Sequence, residues 1–314
     1  MRPRSARPRR RAGIQRYAAI SGAQQALSQL HRSISMSLTT ASGGAILTPE
    51  QIGELVIRPL NQLSVAMQTG NVVPITAPSL RVPVVTADTA AAWTAEGAEI
   101  AVSDPALAEI DIVPKKLAAL TVISNELAAD TSPAALKVVG DSIVRDLQRK
   151  IDAAYFGNTV TNGPSGLLSI ASTAVDAGDT WANLDWAEQA KSIAEQHNSV
   201  VGAFVCSPNT ALKLATIKEY GTAGSNRALL QADPTTPASR VVSGVPLHVS
   251  PAIADDLVWS IPRDRVLIAL RQDATVVSDA SAYFSSDRTG VRATLRIGFG
   301  FLDPAAVSKI ATTP

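Results

Sequence analysis

A chain of 314 residues is longer than one hydrophobic core usually organises, so the sequence predicts at least two packed lobes. Charged residues make up 18% of the chain, below the roughly one quarter usual for soluble domains, which indicates that much of the surface is buried against partners. The longest charge-free stretch, residues 59–80, contains prolines and amides that exclude a membrane span, and the single Cys206 excludes an internal disulfide and a thiolate metal site.

The net charge of +1 conceals an uneven distribution of charge along the chain. The first 49 residues hold eight arginines and no acidic residue, whereas the remainder is slightly acidic. Clustered arginines release counterions from phosphates without reading base sequence, so this arm is predicted to face nucleic acid. The predicted contacts are Arg2, Arg4, Arg7, Arg9, Arg10 and Arg11. An organelle transit peptide, or a solvated tail without a function, would have a similar composition.

The second half of the arm has a weak amphipathic pattern. Apolar residues recur at helical spacing, so one side of a helix over residues 14–32 could dock on a neighbouring subunit. The residues of this predicted interface are Ile14, Tyr17, Ile20, Leu27 and Leu30. Residues 35–48 are uncharged and rich in Ser, Thr and Gly, which is typical of a linker. A helix capped by Thr48, with Pro49 in its first position, is predicted to begin the body.

Residues 72–113 are predicted to be extended. Residues 80–85 and 107–113 alternate like two strands, and the segment between them, around Trp93 and Glu96, is rich in Ala, Thr and Gly, so the pattern indicates a long hairpin. Its prolines each remove a ladder donor, which argues against a place inside a sheet and favours a projecting ribbon. A two-stranded ribbon is barely stable alone, so this hairpin is expected to lie on another subunit.

A buried strand over residues 117–123 and a long helix are predicted next. Ser132 would cap the helix, Pro133 would take its first position and Gly157 would end it. The predicted apolar stripe is Leu136, Val139, Ile143, Leu147, Ile151 and Ala154 or Tyr155, and the predicted solvent face is Lys137, Asp141, Arg145, Gln148, Arg149 and Asp152.

A second unit follows a loop or short hairpin over residues 158–180. We expect a helix over residues 184–197, a strand over 203–206 and a helix that Ser207 caps and Pro208 begins. Buried strands are expected at 245–249 and 266–270, with further strands at 275–277, 291–297 and 299–302. The fold class is therefore α+β in two lobes, with the C-terminal strands returning to the sheet of the first lobe.

The sequence offers little catalytic chemistry, and we expect no enzyme, catalytic residue, metal or cofactor. It lacks the phosphate-binding, dinucleotide, zinc-protease and serine-hydrolase motifs. His31, His197 and His248 are scattered and are expected to be solvated or hydrogen-bonded. Cys206 is expected to be a small core residue, and the pair Asp255 and Asp256 is expected to form a turn.

Several segments, in this order, resemble the major capsid protein of tailed bacteriophages with the phage Hong Kong 97-type fold. They are the basic arm, the uncharged linker, the hairpin with Trp93-Thr94-Ala95-Glu96-Gly97, the stretch Val113-Pro114-Lys115-Lys116-Leu117-Ala118, the stretch Val122-Ile123-Ser124-Asn125-Glu126-Leu127, the long helix and the closing residues 291–299 and 303–307. The resemblance covers about residues 48–310.

The resemblance implies a division of the chain and a role for several residues. Residues 1–48 would be the arm and linker, 49–71 a helical lead-in, 72–114 the extended loop, 115–180 with 263–314 the peripheral domain carrying the long helix, and 181–262 the axial domain. At subunit contacts we expect Trp93, Glu96, Glu109, Asp111, Lys115 and Lys116. Local packing of Trp93 on its own hairpin, and solvation of the charged residues, are the alternatives.

The implied function is self-assembly as pentamers and hexamers into an icosahedral virion shell. This shell would form in the bacterial cytoplasm around double-stranded DNA, with scaffolding, portal and decoration proteins as possible partners. No lysine lies between Ile75 and Pro114, so the covalent cross-linking of some family members is not expected. About 48 residues precede the body, which implies a separate scaffolding protein or none. An encapsulin-type nanocompartment shell and a gene-transfer-agent capsid are the alternative functions.

Overall fold

The computed structural model of the protein describes residues 63–97, 99, 101–125, 134–219, 228–230, 240–279 and 281–312. The helices are α1 (Val65–Thr69), α2 (Ala134–Phe156), α3 (Asp185–Gln196) and α4 (Pro208–Thr216). The strands are β1 (Asn71–Ile75), β2 (Leu80–Ala87), β3 (Ala106–Ile112), β4 (Lys115–Ser124), β5 (Thr173–Asp176), β6 (Ala203–Cys206), β7 (Arg240–Val242), β8 (Val245–Val249), β9 (Leu257–Ile261), β10 (Val266–Asp279), β11 (Arg288–Phe301) and β12 (Ser308–Ala311). No helix in these ranges is both long and apolar enough to span a bilayer.

A four-stranded sheet in the order β1-β10-β11-β4 carries the first core. β1 runs parallel to β10, and the other two pairings are antiparallel. Buried residues of α2, including Leu147 and Ile151, belong to the same cluster as Ile268 and Leu295 of the sheet. β10 and β11 thus join the strands of the first lobe, and the predicted return of the C-terminal strands is confirmed.

A six-stranded sheet in the order β5-β12-β9-β6-β8-β7 carries the second core. Trp186 of α3 and Phe204 of β6 pack edge to face with ring centroids 5.4 Å apart. β12 lies between β5, which runs parallel to it, and β9, which runs antiparallel. The division into peripheral and axial domains stays a prediction; β5 and β12 belong to this sheet although both lie outside residues 181–262.

The long helix α2 has the predicted apolar stripe where its side chains are described. Ile143, Leu147, Ile151, Ala154 and Tyr155 are all buried. The prediction that Asp152 lies on the solvent face was wrong, because this carboxylate is 3% exposed and contacts α1. The predicted cap Ser132 and first residue Pro133 lie outside the described residues, as does the predicted helix start at Thr48.

Several strand predictions are corrected. β4 is a half-exposed strand and not a buried one, because β11 is its one partner among the described strands. β8 is likewise largely half-buried. β10 and β11 are each 14 residues long, where shorter separate strands were expected. The fully buried strand β9 and the short strand β7 were missed.

Candidate subunit interface

The predicted hairpin is present and forms a sheet of its own from β2 and β3. In its register Arg81 lies opposite Asp111, and Pro83 lies opposite Glu109. Pro83 removes a backbone donor from β2, which suits a strand that no third described strand joins. The prediction of a separate two-stranded ribbon is confirmed.

The base of the hairpin is anchored by Ile112, the last residue of β3. Ile112 is 2% exposed and belongs to a small cluster with Ile75 and with Leu267 of the four-stranded sheet. Gly298 and Gly300 of β11 provide the space for it: a Cβ on Gly298 would lie 3.0 Å from Ile112 Cγ2, and a Cβ on Gly300 would lie 2.6 Å from Ile112 Cγ1. The two glycines therefore form a groove that seats the hairpin on the sheet.

The tip of the hairpin presents apolar side chains to solvent. Trp93 is 106% exposed and Val102 is 93% exposed, so the alternative in which Trp93 packs on its own hairpin is wrong. Hydrogen bonds from Thr86 Oγ1 to the Ala106 carbonyl, 3.1 Å, and from Ser103 Oγ to the Ala90 carbonyl, 3.3 Å, join the two arms below the tip. A fully exposed tryptophan is the feature expected of an interaction surface.

The charged residues predicted for subunit contacts are all exposed. They are Glu96, Glu109, Asp111, Lys115 and Lys116. Glu109 and Asp111 share the solvent face of β3, as their alternation predicted. Their contacts with other subunits stay a prediction. The arm residues, from Arg2 to Leu30, lie outside the described residues.

A second exposed surface, which the sequence analysis missed, lies on the four-stranded sheet on the side opposite α2. We call it the outer sheet face. It consists of Lys116, Ala118, Leu120 and Val122 of β4 and of Arg292, Thr294 and Arg296 of β11, which pair in register. Leu120 is 61% exposed and Val122 is 38% exposed. Residues 117–123 are apolar at every position but Thr121, so the sequence carried no signal that this face of β4 is exposed.

A third feature that sequence reasoning missed joins α1 to α2. Asp152 Oδ1 accepts hydrogen bonds from Ser64 Oγ at 2.7 Å and from the Ala66 amide at 3.1 Å. Oδ2 accepts from the Val65 amide at 3.4 Å. Burial raises the pKa of Asp152, and these hydrogen bonds oppose the rise. Ser64 caps α1 by accepting from the Met67 amide, and the Asp152 carboxylate accepts from further N-terminal amides of α1, so it links α1 to α2.

The remaining candidate residues have structural roles. His197 Nδ1 lies 2.8 Å from Asp303 Oδ2, as expected for a hydrogen-bonded histidine, while burial lowers the pKa of His248. Cys206 is fully buried in the second core, which confirms its role as a core residue, and burial raises the pKa of its thiol to about 12. Within the described ranges no cluster of three His, Cys, Asp or Glu residues could hold a metal ion.

The predicted turn at Asp255 and Asp256 is present and ties α4 to the start of β9. Asp255 accepts hydrogen bonds from Ser207 at 2.6 Å and from Asn209 at 2.9 Å. Asp256 accepts from Lys213 at 2.6 Å, and this bond holds the pKa of Asp256 below its ordinary value. Ser207 also accepts from the Thr210 amide, so the predicted cap of α4 is confirmed.

The described residues form a mixed sheet-and-helix body that carries an anchored two-stranded ribbon with an apolar tip. The model of the phage capsid family matches residues 44–311, and the chain belongs to this family. It has the Hong Kong 97-type capsid fold expected from the sequence and is a structural capsid protein of the virion.

Solved structures with the same fold have little sequence identity to the chain. The capsid of an empty GTA particle aligns with a TM-score of 0.65 at 18% identity, covering 91% of this chain and 98% of that one. A chain of Mycobacterium phage Adephagia aligns with a TM-score of 0.64 at 16% identity, covering 80% and 90%. A chain of Mycobacterium phage Bobi aligns with a TM-score of 0.64 at 15% identity, covering 91% and 98%. A search of curated proteins gave no match.

Proposed function

We propose that the chain is the major capsid protein of a tailed bacteriophage and that it assembles as pentamers and hexamers into the icosahedral head that encloses double-stranded DNA. The observation that carries the assembly proposal is the hairpin, whose tip exposes Trp93 and Val102 while its base is fixed to the sheet. Apolar side chains held away from their own core gain stability by burial on another subunit. Assembly takes place in the bacterial cytoplasm, with portal, scaffolding and decoration proteins as candidate partners.

The purified chain should form capsomers or closed shells and should not persist as a monomer. Trp93→Ala should lower the shell yield by about thirtyfold or more, since truncating an aromatic anchor that is buried in the contact costs about 2 kcal/mol or more. Analytical ultracentrifugation and electron microscopy measure the yield. The matched control is Trp93→Phe, which keeps an aromatic side chain at the tip, and this variant should still assemble. Wild-type protein that stays monomeric at high concentration and physiological salt would contradict the proposed function.

The arm is proposed to have two parts with different roles. Arg2 to Arg11 face the packaged DNA, because clustered arginines bind phosphates without sequence preference. Residues 14–34 lie against a neighbouring subunit, because their apolar residues recur at helical spacing.

Deletion of residues 2–11 should therefore leave empty shells intact and reduce genome retention, whereas deletion of residues 14–34 should lower the shell yield even without DNA. Packaged DNA per particle and particle number measure the two effects separately. Loss of empty shells after deletion of residues 2–11 alone would show that these arginines act in the shell.

A gene-transfer-agent capsid is the second candidate, because the capsid of a GTA particle has the same fold over most of this chain. Sequencing the DNA from purified particles distinguishes the two functions. One packaged phage genome supports the phage head, and random fragments of the host chromosome support the gene-transfer agent. An enzyme cargo in place of DNA would indicate an encapsulin-type shell.

A further inference from the structure

We propose that Asn162 is a site of spontaneous deamidation, which converts this residue to aspartate or isoaspartate. Asn162 is followed by Gly163, and this is the chain's one Asn-Gly pair. Because glycine has no side chain, its backbone nitrogen can closely approach the side-chain amide of the preceding residue. The modification is independent of the proposed function, because it requires only water, hydroxide and an accessible turn.

The reaction begins with an attack of the Gly163 nitrogen on the side-chain carbonyl carbon of Asn162. Hydroxide takes the proton of the Gly163 amide, a bond forms between this nitrogen and Cγ, and the Cγ–Nδ2 bond breaks. The leaving nitrogen takes a proton from water and departs as ammonia, which regenerates hydroxide and leaves a cyclic imide. Water then opens the ring. Cleavage at Cγ gives aspartate, and cleavage at the main-chain carbonyl carbon of Asn162 gives isoaspartate.

Asn162 lies in an exposed turn that is fixed to the body at its end. Its φ of 59° is in the left-handed region, and the Gly163 amide donates to the Val160 carbonyl at 2.8 Å. This hydrogen bond has to break before the nitrogen reacts, and such opening costs little in an exposed turn. After the turn, Gly166 is buried against the last residues of α2 and Leu167 is 0% exposed. The turn can therefore open without displacing the body.

Asn198 provides a matched comparison within the same chain. It is also exposed, and its φ is 51°. Its carbonyl accepts a hydrogen bond from Arg265 Nη2 at 3.2 Å. The next residue, Ser199, is 5% exposed, and its amide donates to the Ala194 carbonyl at 2.9 Å. The two asparagines thus have the same backbone conformation, but the attacking nitrogen after Asn198 is held in place more firmly than the one after Asn162.

Peptide mapping by mass spectrometry, after incubation of the purified full-length protein at mildly alkaline pH, measures both sites. Asn162 should convert about tenfold faster than Asn198 or more, because reaction at Asn198 requires the loss of an additional hydrogen bond and the exposure of a buried residue. Conversion should accelerate as pH rises, because hydroxide removes the Gly163 amide proton. Isoaspartate should accompany aspartate. An Asn162 that stays unmodified, or that reacts no faster than Asn198, would overturn the inference.

Ser199→Gly separates the effect of the local structure from the effect of the following glycine. This variant gives Asn198 the same next residue as Asn162, while the hydrogen bond from Arg265 to the Asn198 carbonyl remains possible. In the folded variant Asn198 should still convert more slowly than Asn162, and in concentrated urea the two should convert at similar rates. Equal rates in the folded variant would contradict the selection of Asn162 by its exposed turn.

Discussion

Gly300→Ala should loosen the hairpin from the body and prevent shell formation. The added Cβ would overlap Ile112 Cδ1 and lie 2.6 Å from Ile112 Cγ1, in a groove whose other wall includes Leu267. Overpacking of this kind costs about 1–3 kcal/mol, and Ile112 at the base of the hairpin must move to relieve it. Urea unfolding followed by tryptophan fluorescence measures the loss, because Trp186 and Trp259 are buried.

The combination with Ile112→Ala provides the control for this prediction. Ile112→Ala removes both atoms that the new methyl group would meet, so the double variant should be more stable than the sum of the two single changes predicts. Strictly additive free energies of unfolding would show that Gly300 does not act through Ile112. Normal shells from Gly300→Ala would show that assembly does not require the contact between Ile112 and the two glycines of β11.

Asp152→Ala should lower the free energy of unfolding by about 2–4 kcal/mol, because the Ser64 hydroxyl and the Ala66 amide lose their common acceptor in a buried site. Asp152→Asn is the matched variant, since its amide oxygen keeps one acceptor in place and carries no charge. It should therefore be much less destabilised than Asp152→Ala. Equal losses in the two variants would show that the packing of the side chain matters more than its hydrogen bonds.

The pH dependence gives an independent test of the same carboxylate. Burial raises the pKa of Asp152 in the folded state, so between the unfolded and folded values the folded protein binds more protons than the unfolded one. The contribution of Asp152 to stability is then largest at acid pH and falls as pH rises through the folded pKa. Relative to Asp152→Asn, the wild type should lose stability as pH rises above about 4, the ordinary pKa of an aspartate. A difference between the two proteins that is constant with pH would contradict a raised pKa.

The hairpin, the α2 stripe and the cap at Ser207 could be predicted because each depends on local pattern. Alternation over residues 80–85 and 107–113, apolar residues three or four apart in α2, and a serine before a proline each specify a short-range structure. These signals also placed Trp93 at a hairpin tip. The order of the segments then led to the correct family.

The features that escaped prediction depend on contacts between distant segments. In the sequence Asp152 has the spacing of a polar residue on the solvent face of α2. In the structure it is buried because the N-terminal amides of α1, 86 residues earlier in the chain, donate hydrogen bonds to its carboxylate. Leu120 and Val122 are as apolar as core residues, and only the place of β4 in the sheet order reveals that they face solvent. The role of Gly298 and Gly300, which is to leave space for Ile112, can be recognised only in the folded structure, where Ile112 lies over them.

The position of β12 has a consequence for how the chain matures during translation. This strand, Ser308–Ala311, lies inside the six-stranded sheet, between β5 from residues 173–176 and β9 from residues 257–261. During translation the other described strands of this sheet are therefore synthesised before β12, which joins β5 to β9. Contacts of such sequence separation form slowly and late. A chain interrupted before residue 308 lacks the strand through which β5 pairs with the other described strands of this sheet.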